Sequence, residues 1–199
     1  MKRLLLFLLG TLPIMAFAQN FGKKGQCIDD LVPQGFDYVK AEGDLNKDGR
    51  SDLVVSARSV LAIFFALPSG GYELWKQYDN IFPQDDPDDE LMLDIELSIS
   101  DRGVLRIAIH SFASAGTSYV TNNSYAFRFQ NNDFFKIGED QHSMSRMTGD
   151  DETVSINYLT HKKQHIKQNA FDETIKPKET WSTIPKQPLK RLGEEPLLF

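Results

Sequence analysis

Short apolar or alternating runs recur along the chain, separated by turn-forming residues. A period of two marks strands with one buried face. The pattern predicts strands over residues 36–41, 53–57, 60–66, 72–77, 91–99, 104–111, 125–130, 134–137 and 153–159. Two hairpins are expected. Ser100-Asp101-Arg102-Gly103 separates two alternating runs. Asn131-Asn132 separates two more, and asparagine tolerates the positive φ of a tight primed turn. No segment carries a long helical period, so at most one or two short helices are expected. The fold class is therefore all-β, mostly antiparallel, as a propeller-like or β-sandwich-like module. Residues 19–26 are polar and rich in Gly and Lys, and read as a flexible arm. The β-rich domain is expected over 27–185. Thr180-Trp181-Ser182 offers one more strand before a loosely held tail over 186–199.

A chain of 199 residues suits one domain with short tails and can bury a core without disulfide staples. The formal net charge is -6, which argues against nucleic acid and anionic membrane as partners. The charge is uneven. Acidic residues crowd 85–96 with no base among them, while residues 161–191 hold eight Lys and Arg. Each run reads first as a solvated loop or face. Residues 85–90 could also form a second, looser calcium site.

Residues 1–18 have the three parts of a secretory leader. Lys2 and Arg3 are its positive end, an apolar stretch follows, and Ala16-Phe17-Ala18 is a small-x-small cleavage site. The stretch is short for a membrane anchor and Pro13 interrupts it. The pattern looks bacterial, and the protein is expected to be exported, periplasmic or extracellular, with no integral membrane segment after cleavage. The single cysteine, Cys27, has no partner for an internal disulfide. Lys24-Gly25-Gln26 before it does not suit lipidation, so it is expected to be a buried or idle thiol.

The sharpest local signal is Asp44-Leu45-Asn46-Lys47-Asp48-Gly49-Arg50-Ser51-Asp52, the pattern D-x-N-x-D-G-x-x-D. Ca²⁺ is a hard ion that takes six to eight oxygens. Asp44, Asn46, Asp48 and Asp52 can supply side-chain oxygens to one ion, the Arg50 carbonyl another, and Gly49 permits the sharp turn. Three carboxylates this close repel unless a cation lies among them. An EF-hand or dockerin-like loop needs an acid at its twelfth position, where this chain has Val55. Mg²⁺ fits less well, because it keeps its waters and demands stricter geometry. The bland alternative is an Asp/Asn/Gly turn without metal. Lacking a bidentate glutamate, the loop should bind calcium weakly, on the order of 10⁻⁴–10⁻³ M. The ion would then be a constant staple, not a signal.

The stretch from Gly43 to Val55 resembles the FG-GAP (VCBS) repeat of integrin α-subunit propellers and many exported bacterial proteins. The resemblance implies that the loop joins two strands and that its acidic residues bind Ca²⁺. It covers about residues 36–57, and the chain shows one copy where that family usually shows several.

Catalytic motifs are absent: no G-x-S-x-G, no H-E-x-x-H, no P-loop. His161 and His165 have a spacing that would suit a metal on a helix, but their basic setting reads as a turn and edge strand. His110 beside Ser111 invites a nucleophile pair, but with no orienting acid in view His110 is expected to be structural. Residues 111–118 read as a mobile loop. The expected function is a non-catalytic module binding a protein or glycan; the alternative is a hydrolase whose groups converge only in three dimensions. A cleft lined by converging titratable groups would favour the hydrolase, and a flat aromatic or apolar patch the binding module.

Overall fold

A computed structural model describes residues 20–57, 59–79, 81–82, 91–113 and 118–197. The leader, the acidic residues 85–90 and half of the expected loop over 111–118, residues 114–117, lie outside those residues. Two antiparallel sheets pack face to face as a sandwich-like β module. The smaller has the order β1-β5-β4-β3-β2, from β1 (Lys24–Gly25), β2 (Val39–Gly43), β3 (Asp52–Ala57), β4 (Val60–Ala66) and β5 (Tyr72–Tyr78). The larger is ordered β12-β11-β10-β9-β8-β7-β6. Its strands are β6 (Leu91–Ile99), β7 (Val104–Ala113), β8 (Tyr119–Gln130), β9 (Asp133–Ser145), β10 (Asp150–Asn157), β11 (Lys162–Asn169) and β12 (Lys178–Thr183). One 3-10 turn, Ile28–Asp30, is the one helical element among the described residues.

The alternation along β6 and β7 sends Leu97, Leu105, Ile107 and Ile109 inward against Val54, Leu61 and Ile63 of the small sheet. Every residue of β3 is buried, because this strand is covered twice. Its other face, with that of β4, meets a second core in which Leu53, Val55 and Phe64 pack on Phe21, Leu31 and Val32. That double burial is why β3 reads as a continuous apolar run rather than an alternating one. A bulge between Ile63 and Phe64 leaves Trp75 as the extra residue of β5. Its ring packs on Phe65, Phe129 and Phe134 at centroid distances of 5.6, 5.6 and 5.3 Å.

Both expected tails are held down. Phe21 is buried, the Gly22 amide donates to the Leu31 carbonyl, and the Leu74 amide to the Lys23 carbonyl, so residues 20–26 cover the small sheet and are not a loose arm. At the other end, Leu192 and Leu197 enter the main core. The amides of Lys136, Leu192 and Leu197 donate to Lys190, Phe134 and Ile81 carbonyls, so the C-terminal segment is docked. Polar composition hid both segments, since one or two apolar anchors suffice to hold each. Cys27, expected as a buried or idle thiol, is exposed.

Candidate functional site

The Asp44–Asp52 loop, where sequence expects calcium, links β2 to β3. Lys47 and Gly49 take left-handed backbone, at φ 67° and 82°, which winds the chain tightly enough for side chains to cap its own amides. Asp44 Oδ1 accepts from the Lys47 and Asp48 amides at 2.7 and 3.1 Å, and its Oδ2 from Gly49 at 2.9 Å. Asn46 Oδ1 accepts from the Asp48 amide at 3.0 Å, and Asp48 Oδ1 from the Arg50 amide at 2.9 Å. Asp48 Oδ2 takes the Asn46 side-chain amide and the Arg50 guanidinium. Burial alone would raise the Asp48 carboxyl, but the Arg50 amide, the Asn46 amide and the Arg50 charge outweigh it and hold it low. The repulsion expected among the carboxylates is thus relieved in part by the loop itself.

A lone-pair count tests the loop against a cation. Each carboxylate or amide oxygen has two acceptor directions. With the bonds above subtracted, Asp44 Oδ2, Asn46 Oδ1 and Asp48 Oδ1 each keep one. Together with the Arg50 carbonyl they form a hard-oxygen donor set that suits Ca²⁺. Asp52 plays a different visible part. It is fully buried, its Oδ2 accepts from Leu45 and Asn46 at 2.9 and 3.4 Å, and its Oδ1 from Ala66 at 2.9 Å. It ties the loop to the end of β4, a part the sequence pattern, which expects it as an ion donor, did not foresee. Burial pushes its carboxyl up, against the pull of those amides, and Asp48 adds to the rise. Among the described residues, no group of three or more His, Cys, Asp or Glu is placed to hold a metal. The Gly103 turn of the β6–β7 hairpin leans on the loop, at a position where a Cβ would lie 2.5 Å from the Asp44 carbonyl. The loop therefore stands at the corner where the two sheets meet.

The outward face of the large sheet forms a second candidate site that motif reading missed. Register lines up Arg106, Ala126, Gly138, Asn157 and Lys162 across β7 to β11. The adjacent row is Ala108, Ser124, Asp140, Ser155, Gln164 and Trp181. Ala126 and Gly138 add almost no bulk at the middle, so the face is hollowed there into a trough of about 350 Å³. One wall is preformed: Arg106 Nη1 donates to Ser124 Oγ at 2.6 Å and Asp140 Oδ2 at 2.9 Å. At the other wall Trp181 is 60% exposed, and its indole N–H and the Gln164 amide both donate to Glu179 Oε1, which fixes the ring.

Beside the trough a hydrogen-bond line crosses the same face. His110 Nδ1 donates to Asn122 Oδ1 at 2.8 Å, and Asn122 Nδ2 donates to His142 Nδ1 at 3.2 Å. His142 Nε2 donates to Asp151 Oδ1 at 2.9 Å. The amide of Asn122, with one donating and one accepting end, sets the direction of the line. Ser111 faces the opposite way, with its hydroxyl on Thr121, so it makes no pair with His110. His161 lies in the β10–β11 turn and His165 on β11, bonded to Glu152 at 3.2 Å. Four residues of strand span about 13 Å, too far for one metal. No helix among the described residues is long and apolar enough to cross a membrane. Compared with family models, curated proteins and solved structures, the chain matches none.

Proposed function

We propose that the protein is an exported, non-catalytic β module that binds a glycan in the trough of its large sheet, with a calcium ion bracing the Asp44–Asp52 loop. The trough carries the reading. It combines an exposed, oriented indole with planar amide and guanidinium groups over a floor of small residues. An indole face stacks on the C–H face of a pyranose, while amides and hydroxyls meet its hydroxyl groups. Hydrolysis would need two carboxyl groups flanking one glycosidic bond. Asp140 is committed to Arg106, and Glu139, its neighbour, points through the sheet to Lys136 at 2.9 Å. That arrangement favours binding over hydrolysis.

Titration calorimetry against a panel of oligosaccharides tests the reading. Trp181→Ala should weaken binding at least about tenfold, as aromatic anchors commonly do. Its melting temperature should stay near wild type, because the ring is exposed. Retained affinity in that variant would move the ligand elsewhere.

The ion has its own test. Millimolar Ca²⁺ should raise the melting temperature by a few degrees, equivalent to about 1–2 kcal/mol, and Mg²⁺ should do markedly less. Asp48→Ala removes a donor and should abolish the response. An unchanged melting temperature in calcium would make the loop a turn without an ion.

A further inference from the structure

Resting on the glycan reading, we infer that the trough takes an acidic saccharide, a chain carrying uronate carboxylates, and that Lys162 reads the charge. The balance of charge inside the trough points there. Arg106 and Asp140 line it and neutralise each other through their 2.9 Å ion pair. Glu139 also borders it, but its carboxylate bonds to Lys136 on the inner face. Lys162 lines the same trough, and among the described residues no carboxylate pairs with it. Its ammonium is therefore the cation of the trough that no ion pair holds among the described residues.

Glu179 shares this face and lies opposite Ile166, four residues along β11 from Lys162, and no ion pair joins the two. Its Oε1 is moreover occupied by Gln164 and Trp181. Lys162 is exposed at the start of β11, beside Asn157 in register, so an amide and an ammonium stand together at one end of the trough. A pyranose stacked on Trp181 would place its ring hydroxyls towards Gln164 and Asn157. A carboxylate on that ring or the next finds Lys162 within its long reach. A neutral sugar leaves the ammonium unused.

The probes are hexasaccharides of galacturonate, mannuronate and guluronate, each paired with its carboxyl-reduced neutral counterpart. Titration uses the whole chain without its leader. At least one uronate should bind about tenfold tighter than its reduced partner, the worth of one charge-assisted hydrogen bond, and the preference should shrink in high salt. Lys162→Gln should erase the preference, bringing the uronate chain down to the affinity of its reduced partner. Trp181→Ala should weaken both. Equal affinity for acidic and reduced chains overturns the inference and leaves the glycan reading standing. So does a preference that survives Lys162→Gln. Binding to none of these chains, nor to neutral glucans and mannans, overturns both.

Discussion

Asp52→Ala should cost the fold about 3–5 kcal/mol, and should do so in chelator as fully as in calcium. The side chain is completely buried, and it alone meets the amides of Leu45, Asn46 and Ala66. Each buried donor left without a partner costs about 1–3 kcal/mol, reduced where water can enter. The loop and the end of β4 are the segments released. Urea unfolding in excess chelator measures the loss. A loss that appears only when calcium is present would make Asp52 an ion donor first and a brace second. Asp48→Ala is the contrast: it removes an exposed carboxylate and should cost little without the ion. The Asp52 carboxyl is also raised by burial, so the folded chain holds its proton more tightly than the unfolded one. The stability from that group is complete below the ordinary aspartate range and is lost as pH rises through the raised value. Asp52→Asn, which cannot titrate, should therefore lose ground to wild type on acidification.

The loop was legible because its pattern is local: Asp44, Asn46, Asp48, Gly49 and Asp52 lie within nine residues as one recognisable string. The trough was not, because it takes one or two residues from each of several strands and only register brings them together. Arg106, Asp140, Asn157 and Trp181 lie on four different strands, and no spacing rule joins them. Strands followed the same logic. β6 and β7 alternate because one face is solvated and the other is core. β11 carries a single apolar residue, Ile166, and holds its place by pairing with β10 and β12 on either side. β9 runs to Ser145, well past its apolar start, because its largely polar far half is held by pairing with β8 and β10. Where burial does not select the residues, hydropathy cannot reveal the strand.

The largest misreading by sequence was the C-terminal segment, and it yields the second large effect. Lys136 is almost wholly buried in β9, yet it carries a full charge. Its Nζ lies 2.9 Å from Glu139 Oε2 and 3.0 Å from Glu195 Oε1, over the rings of Tyr125 and Tyr158 at 5.4 and 5.6 Å. Burial alone would lower its pKa, but the bonds to Glu139 and Glu195 outweigh it and hold the ammonium above its usual value. Lys136→Ala should thus lose about 3–5 kcal/mol, because it strands the enclosed Glu139 carboxylate. Pairing it with Glu139→Gln should restore much of the loss, since the stranded charge is gone. Glu195→Gln alone should cost less, its carboxylate being part exposed. Glu195 is held below its usual value by Lys190 first and Lys136 next, so its contribution is present at neutral pH and fades as pH falls through the acidic range. Deleting residues 187–199 removes Leu192 and Leu197 from the core together with Glu195, and should destabilise at least as much as Lys136→Ala. Urea unfolding of the four variants at neutral pH separates these terms. A truncated chain as stable as wild type would mean that the segment merely rests on the core and that Lys136 is held by Glu139 alone.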